Sequence, residues 1–212
     1  MLKILYLDEV DSTQNYLKKL LQDTKPDLPI AVSSEIQTNG IGSRNNSWNG
    51  IEGNLFLSFA ISLKELPNDL KLESASIYFA YILKETLAEM GSEVFIKWPN
   101  DFYLNEKKIG GMITNIVGDK LICGVGLNLI AAPQGFEKID IIVDKKLLLE
   151  NYFKKVEKKV LWKKVFSKYK LEFRKNNKFF VHINNKKVPL SNAILEADGS
   201  IKIDGERIYS LR

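Results

Sequence analysis

The hydrophobic and polar positions change period several times along the chain. Residues 2–7 alternate weakly, as a strand does. Asp11-Ser12-Thr13 then offers N-cap side chains to a short helix with Tyr16, Leu17, Leu20 and Leu21 on one face. Pro26 and Pro29 end that helix, and Ile30-Ala31-Val32 starts a second strand. From 37 to 53 the chain turns polar, rich in Asn, Ser and Gly, with Ile41, Trp48 and Ile51 as its large apolar residues. A loop of that length inside a compact domain is usually functional or disordered. Residues 54–63 read as a buried strand (Leu55, Phe56, Leu57, Phe59, Ile61). The segment 72–90 reads as a helix with Ile77, Ala80, Tyr81, Lys84 and Leu87 at helical spacing, stopped by Gly91.

A strand over 94–97 ends in Lys97-Trp98-Pro99-Asn100-Asp101. A hairpin follows (102–104, a turn at Asn105-Glu106, then 108–117), and Gly118-Asp119 turns the chain into a strand over 120–128. Residues 145–175 read as one helix with Leu149, Phe153, Val156, Val160, Val165 and Tyr169 inward. Beyond Asn176-Asn177 the pattern changes to short strands over 179–183, 187–190, 193–196, 200–203 and 207–211. Asn184-Asn185, Asp198-Gly199 and Asp204-Gly205 punctuate them. The expected organisation is an α+β domain over 1–175 and a small all-β, SH3-like barrel over 176–212.

Composition narrows the chemistry. With 212 residues, 45% hydrophobic and 27% charged, the chain suits one globular unit, or a domain with a small appendage, and is not disordered. It has no run of 18 or more apolar residues, and its first residues meet Asp8 and Glu9 too soon for a signal peptide, so a cytoplasmic protein with no membrane partner is expected. Cys123 is the only cysteine, which excludes an internal disulfide and a multi-cysteine metal cage. His182 is the only histidine, so a Ser-His-Asp triad would have to form around it, in a Lys- and Asn-rich tail where a surface role fits better. The net charge of +5 is uneven: residues 145–187 hold 15 of the 31 Lys and Arg and only three acids. Such a block reads as a solvated helix face, or as a surface for nucleic acid, membrane phosphate or an acidic protein.

Four segments carry candidate chemistry. In Gln37-Thr38-Asn39-Gly40-Ile41-Gly42-Ser43-Arg44, two glycines let backbone amides approach a ligand, although the third glycine and following helix of a dinucleotide site are missing. Pro99 stops a buried strand, so Asn100 and Asp101 project from a strand end. Gly110-Gly111 after Lys108, and Gly124-Val125-Gly126 on the next strand, would leave neighbouring strands bare of side chains, a slot for a flat ligand.

Together these segments resemble the biotin protein ligase family. Its pattern is a Gly-Arg-Gly-Arg-type loop ending in Trp, then Lys-Trp-Pro-Asn-Asp, Lys-x-x-Gly and Gly-x-Gly-x-Asn. The resemblance starts at Asp11-Ser12-Thr13-Gln14, close to the family's Asp-Ser-Thr-Asn, and runs to Ile194-Leu195-Glu196-Ala197-Asp198-Gly199. It implies a class II synthetase-like biotin/lipoate ligase domain, a mixed or antiparallel sheet flanked by helices, with the small barrel behind it. It also implies an ATP- and Mg²⁺-dependent enzyme that forms biotinyl-5'-AMP and biotinylates a lysine of the biotin carboxyl carrier domain of acetyl-CoA carboxylase or a related carboxylase.

By that resemblance Ser12, Thr13, Gln14 and Gln37 contact biotin, and Gly40, Ile41, Gly42 and Ser43 close over it. Gly110, Gly111, Gly124 and Gly126 floor the pocket, and Lys108 reaches the carboxylate. Arg44, Trp48, Asn100, Asp101 and Asn128 face the nucleotide, with Lys108, Arg44 and Asp101 in catalytic roles and no metal ligand assigned. A lysine there would offset the charge of two anions brought together, and no protein nucleophile is required. The chain departs from the family at Ile41 and Ser43, where arginines are usual, leaving Arg44 as the loop's cation. Two alternatives stay open: a lipoate or octanoate ligase or transferase of the same architecture, and a nucleic-acid-binding module built on the basic block. Because the chain begins on the first strand of the expected catalytic domain, DNA binding by an N-terminal helix-turn-helix is not expected.

Overall fold

A computed structural model describes residues 2–42, 46–183 and 186–210. Its centre is a seven-stranded sheet: β1 (Lys3–Val10), β2 (Ile30–Gln37), β5 (Leu55–Ser62), β9 (Lys120–Leu127), β8 (Lys107–Val117), β7 (Asp101–Leu104) and β6 (Phe95–Lys97), in that spatial order. β1 runs parallel to β2, and every other neighbouring pair is antiparallel, so the sheet is mixed. The polar stretch expected as a long loop folds partly into a two-stranded ribbon of β3 (Gly40–Ile41) and β4 (Ser47–Trp48).

The two faces of the sheet are covered unequally. Leu55, Leu57, Phe59 and Ile61 of β5 point into the large core with α2 (Ala75–Glu89) and α3 (Lys145–Glu157). There the Phe59 ring meets Phe79, Tyr152 and Phe153 edge-on, with centroids 5.4–5.9 Å apart. On the other face Ala60, Ile122, Ile30 and Val32 meet Leu17 and Leu21 of α1 (Thr13–Asp23). That short helix, capped by Ser12 Oγ accepting from the Asn15 N–H, covers only part of its face.

Two helix expectations need correction. The stripe expected on 72–90 is instead burial nearly all round, with every residue from Ala75 to Leu83 buried, because α2 lies between the sheet and the outer helices. The single helix expected over 145–175 is two, α3 and α4 (Trp162–Glu172), parted at Lys159, whose φ is 45°. A distant carboxylate holds the new end: Asp69 accepts from the backbone N–H groups of Trp162 and Lys163 at 2.8 and 3.0 Å. The basic block is also less free than its composition implied. Lys145, Lys155, Lys159, Lys168 and Lys178 pair with Glu35, Glu89, Glu65, Glu85 and Glu106, all outside the block.

The C-terminal strands pair as two small sheets. One is β10 (Phe180–Ile183) with β11 (Lys186–Pro189), and the other is β12 (Ile194–Leu195), β13 (Ile201–Ile203) and β14 (Glu206–Ile208). Their apolar residues Val181, Ile201 and Ile208, with Leu190 just after β11, join the same core as α2. The turn before β13 is gripped by two indoles: Trp98 Nε1 donates to Gly199 O and Trp162 Nε1 to Ala197 O, each at 2.8 Å.

Candidate active site

A cleft opens where α1 stops covering the sheet. One row of cross-strand partners runs Ser34, Phe56, Gly126, Gly111, Asp101, Lys97, and the next row on the same face contains Ser58, Gly124 and Ile113. Glycines at the middle of these rows make the floor. A Cβ on Gly124 would lie 2.5 Å from Gln14 Oε1, and one on Gly126 2.5 Å from the Trp48 indole. Side chains from α1 and the β3–β4 ribbon therefore already lie against the bare strands. The free volume between the walls is about 50 Å³, because Gln14 and the Trp48 indole lie against the floor.

One end of the cleft is neutral and hydrogen-bonded. Thr13 N–H and Oγ1–H both donate to Gln37 Oε1, at 2.9 and 3.1 Å. Ser58 Oγ lies 2.9 Å from Thr13 Oγ1 and donates to Gln14 Oε1 at 3.1 Å, while Gln14 Nε2 donates to Asn115 Oδ1 at 3.0 Å. Four elements contribute to this lattice, and each side chain orients the next. The other end is charged. Lys108 Nζ meets Asp101 Oδ1 at 2.6 Å, and Lys97 Nζ stands 4.0 Å from Oδ2, so two cations face one carboxylate. Asn100 is held by its Nδ2 donating to Met112 O. Next to them the Tyr103 phenol is pushed up to about 12, by burial first and then by the charge of Asp101.

Most residues singled out in the sequence meet here. Ser12, Thr13, Gln14 and Gln37 line the neutral end, Ile41, Gly42 and Trp48 the roof, Gly111, Gly124 and Gly126 the floor, and Asn100, Asp101 and Lys108 the charged end. Gly40, Gly110 and Asn128 do not line the cleft. A Cβ on Gly40 would strike Gln37 Nε2 at 2.4 Å, and one on Gly110 would strike Gly126 O at 2.5 Å, so both glycines serve close packing behind it. Asn128 is buried, donating to Glu137 O and accepting from Asn54 Nδ2. Ser43 and Arg44 lie outside the described residues. Sequence reasoning missed Ser58, Asn115 and Asn54, whose Oδ1 accepts from the backbone of Leu129 and Ile130. Ser58 did carry a signal, as the polar residue inside Leu55-Phe56-Leu57-Ser58-Phe59-Ala60-Ile61. Cys123 points into the core on the opposite face, its thiol pushed up by burial, and His182 stands exposed on β10.

The cleft thus has neutral hydrogen-bonding groups at one end and a Lys–Asp ion pair at the other, two ends of different chemistry joined by a bare floor. The sequence pattern described as the biotin/lipoate A/B protein ligase family matches residues 6–128. The chain belongs to that family. It is 36% identical to the biotin acetyl coenzyme A carboxylase synthetase of Helicobacter pylori, solved with bound biotinylated ATP, over 99% of this chain and 100% of that one, with a TM-score of 0.94. The biotin protein ligase of Aquifex aeolicus, solved with biotin and ATP, shares the fold at 24% identity, a TM-score of 0.80 and 99% and 96% coverage. The bifunctional ligase/repressor BirA of Escherichia coli K12 is 30% identical over 130 residues, 58% of this chain and 39% of that protein. The chain thus spans less than half the length of the curated relative it matches. Among the described residues no helix is long and apolar enough to cross a membrane.

Proposed function

We propose that the chain activates biotin with ATP as biotinyl-5'-AMP and transfers the biotinyl group to a lysine of a biotin carboxyl carrier domain. The observation that carries this reading is the two-ended cleft: a neutral lattice of Thr13, Gln37, Ser58 and Gln14 faces Lys108 across a glycine floor. A fused ureido ring offers both donors and acceptors to the first end, while its apolar tail runs along the floor at Gly124 and Gly126 towards the lysine. Lys108 then holds the carboxylate against the α-phosphate, offsetting the repulsion between two anions.

A carboxylate oxygen attacks the α-phosphorus and pyrophosphate leaves. The acceptor ε-amine next attacks the acyl carbon, losing a proton, and AMP leaves. Asn100 and Asp101 lie at the nucleotide end, and Arg44 supplies the loop's cation for the phosphates. Asp101 is the one carboxylate lining the cleft and already faces Lys97 and Lys108, so a Mg²⁺ ion would be held mainly by the ATP phosphates and water. When bound, that ion neutralises phosphate charge. Residues 1–175 carry both chemical steps, and 176–212 flank the nucleotide or the carrier. The acceptor is taken as acetyl-CoA carboxylase or a related carboxylase, after the H. pylori relative's name.

Biotin-dependent exchange of labelled pyrophosphate into ATP, followed by labelling of a carrier domain, tests the reading. Exchange driven by octanoate or lipoate in place of biotin would overturn it.

A further inference from the structure

The edge strand β6 is only three residues long, yet it aims the whole charged end of the cleft. Its inner side pairs with β7, with Lys97 opposite Asp101. On its outer side there is no further strand in the seven-stranded sheet. Two side chains take the place of one. The Ile96 N–H donates to Glu172 Oε1 at 2.8 Å, the Trp98 N–H donates to Asn176 Oδ1 at 2.7 Å, and Asn176 Nδ2 donates to Ile96 O at 3.1 Å. Ile96 and Trp98 are two apart, the spacing at which one strand edge presents its polar groups. Asn176 is fully buried, and Lys84 fixes the Glu172 carboxylate at 2.5 Å.

We propose that Asn176 is a positioning residue for the chemistry at Asp101 and Lys108, an inference that rests on the biotin-ligase reading above. Its side chain acts as a one-residue strand. Without it the Trp98 N–H and the Ile96 carbonyl lose the bonds to Asn176 in a dry environment, and the strand shifts. Asn100 and Asp101 follow Trp98 directly, across Pro99, so the shift reaches the ion pair with Lys108. The neutral lattice is carried by α1, β2, β5 and the far part of β8, and stays where it is. Biotin recognition and chemistry should therefore separate.

The test uses the full chain and biotin-dependent ATP–pyrophosphate exchange, normalised to biotin-binding sites well below the melting temperature. Asn176→Leu should lower kcat about tenfold or more, the scale of a small misplacement of reacting groups, with KM for biotin within about twofold. Asn176→Asp, which keeps an acceptor for the Trp98 N–H, should fall between the two. Val165→Ala, a core truncation in α4 away from β6, should lower the melting temperature and keep kcat. Hydrogen exchange on the same samples should quicken over 95–104 in Asn176→Leu and stay unchanged over 30–37. A normal kcat with only a lower melting temperature would overturn the proposal, as would unchanged exchange over 95–104. If the wild type shows no biotin-dependent exchange, the substrate reading fails instead, and hydrogen exchange alone decides whether Asn176 holds the strand. Should Asn176→Leu not fold, Asn176→Asp carries both measurements.

Discussion

At one end of the cleft Thr13, Gln14, Gln37 and Ser58 hold one another through neutral hydrogen bonds; at the other, Asp101 sits between Lys97 and Lys108. The neutral end is assembled from α1, β2 and β5, with Asn115 of β8 behind it. The charged end comes from one short run of chain, 97–108, folded back on itself as β6, β7 and the start of β8. The difference separates two tasks. A neutral, mutually satisfied wall selects by shape and by the order of donors and acceptors, and salt hardly affects it. A lysine beside a carboxylate supplies charge where charge builds in the reaction, and its cost in the absence of substrate is met by the ion pair.

Removing Lys108, the nearer of the two cations at the charged end, should have the largest effect. Lys108→Ala is expected to cut biotin-dependent pyrophosphate exchange more than ~10²-fold, the scale of one lost transition-state contact, while biotin binding changes far less. Exchange within a few-fold of wild type would remove Lys108 from the chemistry.

Two glycine substitutions compare the ends directly. Gly124→Val drives a side chain into Gln14 at the neutral end and should weaken biotin binding by about tenfold or more. Gly111→Val crowds Asp101 Oδ1, 3.1 Å from an added Cβ, and should lower kcat more than affinity. Overpacking costs about 1–3 kcal/mol of stability in each, so melting curves accompany calorimetric titration. If both variants change the same parameter, the division of labour between the ends is wrong.

Ser58→Ala removes one hydroxyl from the lattice and leaves Gln14 Oε1 short of a donor. About fivefold weaker biotin binding is expected, equivalent to roughly 1 kcal/mol for a neutral hydrogen bond. An affinity indistinguishable from wild type by titration would mean that Ser58 only supports packing.

The smallest effect lies outside the cleft. Burial alone would raise the Asp198 carboxyl, but hydrogen bonds from Ser200 and Arg207 outweigh it and hold the group below the ordinary carboxylate range. The folded state then binds fewer protons than the unfolded one near pH 4, so this contribution is present above pH 4 and lost as pH falls through the depressed value. Asp198→Asn should lower the melting temperature by a few degrees at pH 7, about 1 kcal/mol in a chain of this size. The gap should close towards pH 3, and a gap that stays constant in melting curves across that range would refute the linkage.

The charged end is legible in the sequence because its residues are neighbours in the chain. Lys97-Trp98-Pro99-Asn100-Asp101 and Lys108 form a pattern dense enough to read, and so do the paired glycines. The neutral end is legible only in part. Thr13 and Gln37 entered through the family resemblance, whereas Ser58 and Asn115 lie 45 and 101 residues from the side chains they bond. The helix break at Lys159 is hidden for a similar reason, since Asp69, its capping group, is 93 residues away from Trp162.

By itself the sequence determined the strands of the large sheet, the first two helices, three glycines of the floor and the lysines of the charged end, because period, turn residues and charge are local properties of the chain. Tertiary structure alone decided which faces meet: that α1 sets Gln14 against Gly124, that Asn128 is buried as a strut, and that Glu172 and Asn176 complete β6. Those outcomes depend on which buried polar groups find partners across the fold, and a linear pattern carries no record of that pairing.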